Sequence, residues 1–154
     1  MTSAPRNHSL TLLTEEHLPA VLALEKMCFS QTWSGEQLRS CCRSPYLLLG
    51  AISPDAMHGY ISAQIIAPEM EILNVAVAPA YRGQGLGRKL VVHALKAGRS
   101  HGATMCHLEV AADNLPALRL YAGLAFNITG TRKGYYHEHG QRVDALTMAK
   151  HLLP

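Results

Sequence analysis

The chain has 154 residues, 48% hydrophobic and 16% charged, with a formal net charge of +3. That length suits one domain, expected to span 1–154 and able to bury roughly 70% of its unfolded surface, and the apolar fraction excludes global disorder at so small a net charge. A membrane span is excluded too, because the longest apolar stretches, such as Tyr46–Ile52, fall far short of the ~20 residues a bilayer requires.

Ser9–Leu13 reads as an opening strand. From Thr14 the period becomes helical, with Leu18, Val21, Leu22 and Leu24 on one stripe ending near Phe29. Thr14 is placed as N-cap, with Glu15 and Glu16 in the first turn where carboxylates suit the helix dipole. Ser34-Gly-Glu-Gln37 matches a capping box and predicts a short second helix to about Arg43, stopped by Pro45. Tyr46–Ile52 and Gly59–Ile66 read as strands joined by the turn-rich Ser53–His58, and Glu71–Val77 as a third, closed by Pro79. Leu86, Leu90, Val91, Ala94 and Leu95 recur at helical spacing until Gly98 or Gly102. A strand over Thr104–Val110, a helix over Asn114–Leu124 with Pro116 in its first turn, and strands around Phe126–Lys133 and Val143–Lys150 complete the order. The pattern β-α-α-β-β-β-α-β-α-β-β implies an α/β (α+β) layer structure with a mixed sheet.

The flanking composition is plain. No apolar run of signal-peptide length follows Met1–Ser9, so a cytoplasmic protein is expected. Cys41 and Cys42 are adjacent while Cys28 and Cys106 stand alone, which reads as free thiols rather than a zinc or disulfide framework. Basic residues are scattered, and the densest group, Arg82–Lys89, lies in a glycine-rich segment, pointing to local anion binding rather than a nucleic-acid groove. His137 and His139 sit at i, i+2 without further ligands nearby, the pattern of a solvated hairpin tip, and no metal is expected.

The most informative segment is Val75-Ala-Val-Ala-Pro79-Ala-Tyr-Arg82-Gly-Gln-Gly85-Leu-Gly87-Arg-Lys89. An apolar strand runs through Pro79 into alternating glycines and straight into an amphipathic helix. Glycines permit positive φ and leave no Cβ between a ligand and the backbone, and successive amides with a helix N-terminus make a phosphate cradle. Spacing selects among such loops. Arg88 stands where a P-loop needs its second glycine, and both G-x-G pairs lack the third glycine of a dinucleotide fingerprint. What matches is R-x-x-G-x-G at Arg82, Gly85 and Gly87.

A second constellation follows. Glu109 interrupts an apolar strand near its end, where a carboxylate costs free energy unless hydrated or partnered, as by a nearby Arg. Asn114 opens the next helix, and Tyr121 lies seven positions on, roughly 10 Å along the axis and on nearly the same face. Each has an ordinary structural use as well: Asn114 as N-cap, Tyr121 as core aromatic.

R-x-x-G-x-G after Asn74-Val-Ala-Val77-Ala-Pro79, with Glu109, Asn114 and Tyr121 behind it, resembles the GNAT superfamily of acetyltransferases, most densely over Asn74–Phe126. Within it, the resemblance is to the branch that acetylates ribosomal-protein amino-terminal alanine. It implies a mixed, mostly antiparallel sheet of about seven strands with about four flanking helices. It also implies acetyl-CoA as cosubstrate, with Val75, Ala76 and Val77 along the pantetheine arm, Gly83, Gln84, Gly85, Leu86, Gly87 and Arg88 on the pyrophosphate, and Asn114 as a further contact. By the same resemblance, Glu109 is the general base, Tyr121 the general acid, and Trp33, Tyr135 and Tyr136 flank a peptide channel. The partner implied is a protein amino terminus, with neither nucleic acid nor membrane engaged. The chain departs from the family pattern at Ala111 and Asp113, usually Arg and Ser, and at Ala125, often Gly. Two other readings stay open: acetylation of another peptide or a small amine such as a polyamine, and an acyl-CoA-binding module without turnover.

Overall fold

The structure is a computed structural model and describes residues 8–29, 32–138 and 140–153. Thr14–His17 does not open the first helix as expected. It forms a separate 3-10 turn over Glu15–His17, in which His17 Nδ1 accepts the Thr14 N–H at 2.9 Å, and the α-helix starts only at Leu18. The elements are β1 (Ser9–Leu12), α1 (Leu18–Cys28), α2 (Gly35–Ser40), β2 (Tyr46–Ile52), β3 (Met57–Ile66), β4 (Glu69–Val77), α3 (Leu86–Ser100), β5 (Met105–Ala111), α4 (Leu115–Gly123), β6 (Asn127–Glu138) and β7 (Gln141–His151).

The strands form a seven-stranded sheet in the order β1-β2-β3-β4-β5-β7-β6. β1 runs antiparallel to β2, β4 parallel to β5, and β7 antiparallel to both β5 and β6. The short links at 53–56 and 67–68 allow only antiparallel neighbours for β2–β3 and β3–β4, whereas the parallel β4–β5 step is spanned by α3. The parallel register runs from Glu69↔Met105 to Ile72↔Leu108.

Contacts divide the chain into two compact units, one running to Ala63 and resuming over Asn74–Ala94, the other comprising Gln64–Leu73 and the chain from Leu95. In the first, α1 buries Leu18, Val21 and Leu24 with Leu13, Leu38, Leu48, Tyr60, Ala76 and Ala78. Ser34 caps α2 as the capping box requires: Gln37 N donates to Ser34 Oγ at 3.2 Å, and Ser34 N to Gln37 Oε1 at 2.7 Å. Gly59 is required by close approach, since a Cβ there would lie 2.8 Å from the Ala76 carbonyl oxygen.

In the second unit, Met70, Cys106, Leu108, Val110, Tyr121, Phe126, Ala145 and Met148 are buried. β5 alternates cleanly, with Cys106, Leu108 and Val110 inward and His107 and Glu109 on the other face. α4 ends in a Schellman turn: Phe126 N donates to Tyr121 O and Ala125 N to Ala122 O, both at 3.0 Å, and the Tyr121 and Phe126 rings meet edge-on at 5.6 Å. The motif puts Ala125 at φ 67°, where an L-residue costs about 1–2 kcal/mol. Ala125→Gly is therefore expected to stabilise the protein by about 1 kcal/mol, partly offset by glycine's unfolded-state entropy, raising Tm by about 2–4 °C. An unchanged or lower midpoint in calorimetry overturns this.

Tyr135 and Tyr136, expected in a connection before the last strand, lie within β6, which runs on to Glu138. The strand continues past Lys133 through a bulge at Gly134. Gly134 sits at φ 60° and donates its N–H to Asp144 Oδ1 at 2.8 Å, where the β6–β7 register shifts between Arg132 and Tyr136. His137 is an exposed β6 residue opposite Arg142, and His139 lies outside the described residues.

Candidate active site

In the first unit, β4 delivers the chain into a 3-10 turn at Pro79–Tyr81 and then into the glycine run. The entry is held by Ala78 N donating to the His58 carbonyl at 2.8 Å, while the Tyr81 and His58 rings stack at 3.7 Å. Gly83 and Gly85 adopt φ 77° and 79°, and nothing lies within 4 Å of where a Cβ would stand on either. The backbone of the turn is thus bare toward solvent. α3 begins immediately after, and its first intrahelical bond here runs from Lys89 N to Gly85 O at 3.1 Å. The amides of Leu86, Gly87 and Arg88 precede it, so they are the orphan donors every helix N-terminus carries. With Arg88 and Lys89 exposed alongside, the turn fits a diphosphate.

Arg82 does not simply add charge to that surface. Its Nε donates to the Val77 carbonyl at 2.9 Å and its Nη2 to Cys28 Sγ at 3.4 Å. Its side chain ties the end of β4 to the end of α1, a use the motif does not disclose.

In the second unit, Glu109 is partly exposed on β5 and pairs with Arg132 of β6, Nη2 to Oε1 at 3.1 Å. With the Arg132 side chain 55% exposed, the pair contributes less than about 1 kcal/mol to stability. The same guanidinium lies 5.2 Å over the Tyr135 ring, and Tyr135 meets Tyr136 edge-on at 5.1 Å. Burial pushes the Tyr136 hydroxyl above its ordinary pKa, and the Glu109 carboxylate adds to that push. Glu109, Tyr135 and Tyr136 are thereby brought together, around an arginine absent from the sequence reading as a named residue. An open depression of about 170 Å³ borders Glu109, lined also by Glu71, His107, Leu108, Thr147 and Met148.

Asn114 and Tyr121 end in different settings. Asn114 is the exposed N-cap of α4, and its Oδ1 accepts the Ala117 N–H at 3.3 Å. Tyr121 is buried in the last turn, where burial first, and the nearby Cys106 second, hold its hydroxyl well above the usual tyrosine pKa. Trp33 belongs to the other unit, where it is half-buried against that unit's apolar core. All four cysteines are free, with burial pushing Cys41 up to about 11 and Cys106 up to about 12. No cluster of His, Cys, Asp or Glu suited to a metal occurs among the described residues.

The profile of the Acetyltransferase (GNAT) family matches residues 18–126. The chain belongs to the GNAT acetyltransferase family. This GNAT protein is 32% identical over 142 residues to the [ribosomal protein bS18]-alanine N-acetyltransferase of Escherichia coli strain K12, covering 92% of this chain and 96% of that one. It is 32% identical over 135 residues to a putative enzyme of the same description from Bacillus subtilis, covering 86% and 88%. The crystal structure of the E. coli ribosomal-protein-S18-alanine N-acetyltransferase superposes with a TM-score of 0.90 at 30% identity, covering 96% of each chain. The chain is an acyltransferase with the GNAT fold, and the range of the family match includes the positions of the glycine turn, Glu109 and Tyr121 and ends before β6. No helix among the described residues is long and apolar enough to cross a membrane.

Proposed function

We propose that this GNAT enzyme transfers the acetyl group of acetyl-CoA to the α-amine of a protein amino-terminal alanine, with a small-subunit ribosomal protein in the cytoplasm as acceptor and the whole chain acting as one domain. The observation that carries this reading is identity running almost end to end with relatives named for that reaction. Support also comes from the bare backbone of the glycine turn and from the partly exposed carboxylate bordering an open depression.

The roles are those that the GNAT resemblance implies, and the chemistry of these residues is compatible with them. Gly83–Arg88 hold the diphosphate with backbone amides, the β4 backbone at Val75–Val77 lies along the pantetheine arm, and Asn114, its oxygen engaged in capping, offers its amide N–H groups to the cosubstrate. Glu109 takes the proton from the attacking amine, directly or through water. A peptide α-amine, with pKa about 7.7–8.0, is roughly a tenth neutral at pH 7, and a lysine amine near 10.4 far less so, so one carboxylate base suffices for an amino terminus. The nitrogen forms its bond to the acetyl carbon as the carbon–sulfur bond breaks, with no acyl-enzyme. Cys106 does not supply one, being sealed on the opposite face of β5 from Glu109 with its thiol pushed up to about 12.

Tyr121 is the donor for the departing sulfur. The burial that raises its pKa keeps the proton in place across the working range, and full transfer to a thiolate of pKa about 8.5 is uphill, so it acts best as a hydrogen-bond donor. Two results are expected. Tyr121→Phe lowers kcat about 10–100-fold while the fold persists, and an unchanged rate at saturating substrates removes it from the mechanism. In the parent enzyme the rate climbs as the amine deprotonates and shows no fall near pH 10 from tyrosine ionisation. A decline there that Tyr121→Phe abolishes overturns the pKa reading.

The acceptor is tested by measuring coenzyme A release with an alanine-starting ribosomal-protein peptide, the same peptide with a blocked amine, and spermidine. Release with the first alone is expected. Release with spermidine alone assigns a small-amine acetyltransferase, and release with none an acyl-CoA-binding module; either overturns the proposal. Intact-mass analysis of ribosomal proteins from cells lacking the chain then names the acceptor.

A further inference from the structure

Glu25 occupies a position on α1 where the helical stripe of Leu18, Val21 and Leu24 calls for another apolar residue, and it is fully buried at 0% exposure. None of the ion pairs among the described residues includes it. A carboxylate sealed without a cation is a poor choice for stability, since a hydrophobic side chain of similar volume usually serves as well or better. Burial pushes its pKa up even though the Trp33 backbone N–H and the Tyr60 hydroxyl favour the charged form.

What the carboxylate holds is Asn74. Asn74 Nδ2 donates to Glu25 Oε1 at 3.5 Å and lies 3.4 Å from the hydroxyl of Tyr60, itself fully buried. Asn74 stands just past Ile72, where the parallel register ends, and immediately before Val75–Val77. One helical turn after Glu25, Cys28 Sγ lies 3.5 Å from the Val77 carbonyl, to which Arg82 Nε also donates. α1 thus grips this four-residue stretch of β4 at both ends, through a side chain at Asn74 and through the backbone at Val77.

We propose that Glu25 is a positioning residue which, through the Asn74 side chain, sets the backbone of Val75–Val77 for the acyl donor. The proposal rests on the assignment above of that strand segment to the pantetheine arm. A misplacement of about 1 Å in a group that orients a reactant is enough to cost up to about 10²-fold in rate.

The test compares Glu25→Met, which keeps the volume and removes the acceptor, with Glu25→Gln, which keeps an oxygen facing Asn74. Glu25→Met is expected to lose about tenfold in kcat with Tm held within a few degrees, and to shift the ¹H–¹⁵N signals of Val75, Ala76 and Val77 in the unliganded protein. Glu25→Gln is expected to stay within about threefold of the parent and to leave those signals in place. A side chain that only filled space would leave kcat and those amide signals parent-like in both variants, because methionine packs as well as glutamine there. Should Glu25→Met fail to fold, Asn74→Ala reads the same link from its other end, with a tenfold loss in kcat that adding Glu25→Gln does not deepen. Parent-like kcat and unmoved amides in Glu25→Met, or parent-like kcat in Asn74→Ala, overturn the proposal. The amide shifts are read without substrate, so they stand apart from the reaction. If they move as expected but titration with acetyl-CoA leaves the same amides untouched, the pantetheine assignment falls, and the catalytic half of this proposal falls with it.

Discussion

Glu109→Gln is expected to lower kcat by about 10²–10⁴-fold, the range a positioned general base supplies, while the Kd for acetyl-CoA changes less than about threefold. Glutamine keeps the shape of the side chain and an oxygen toward Arg132 but cannot take a proton from the amine. The fold should tolerate it, because the Glu109–Arg132 pair is partly exposed and worth less than about 1 kcal/mol. Steady-state rates at saturating peptide and equilibrium binding of acetyl-CoA measured on one preparation decide the matter. Equal losses in both would show that the carboxylate holds the cosubstrate rather than moving a proton. A rate within a few-fold of the parent would remove it from the mechanism.

Gly85→Val is expected to have the next largest effect, on the cosubstrate instead of the chemical step. Gly85 sits at φ 79° with open space where a Cβ would stand, so the substitution meets no clash within the fold. It does meet a backbone conformation that disfavours a β-branched residue by more than about 1–2 kcal/mol. Part of that is relieved by a local shift of the turn, and either outcome spoils the amide cradle: a moved backbone, or a side chain standing in the diphosphate's place. The Kd for acetyl-CoA should rise about 10–100-fold, since each 1.4 kcal/mol is tenfold, with kcat at saturation within a few-fold. Isothermal titration against both coenzyme A and 3′-dephospho-coenzyme A separates the diphosphate contact from the ribose phosphate. Parental affinity for both ligands would show that the glycine is needed only for the turn.

These two predictions draw on different kinds of information. The turn at Gly83–Gly87 was legible because everything that shapes it is local: an apolar strand, a proline, residues that tolerate positive φ, and a helical repeat beginning at Leu86. The Ser34–Gln37 capping box and the Asn114 cap were legible for the same reason, each closing its hydrogen bonds within four residues. Thr14 shows where such reasoning slips. It does cap a turn, but the turn closes on His17 and stops, and the α-helix starts at Leu18 with Pro19 in its first turn.

The surroundings of Glu109 belong to the other kind. An arginine partner was conceivable for Glu109, yet Arg132 is 23 positions away and reaches it only because β7 lies between β5 and β6 with Glu109 opposite Thr147 and Arg132 opposite Ala145. Tyr135 and Tyr136 fall beyond the strand expected to end around Lys133, whereas Asp144, ten residues after Gly134, takes the Gly134 N–H and makes a bulge inside a continuous strand. Glu25 broke the apolar stripe of α1 without any signal of what it meets, since Tyr60 and Asn74 come from strands far along the chain. Residue types and short spacings therefore settled the order of elements, the glycine turn and the residue kinds available for acyl transfer, because φ preference, capping and periodicity act over a handful of neighbours. Strand register and burial settled which of those side chains meet, because a contact between distant segments depends on how the whole sheet is paired, and no local preference encodes that pairing.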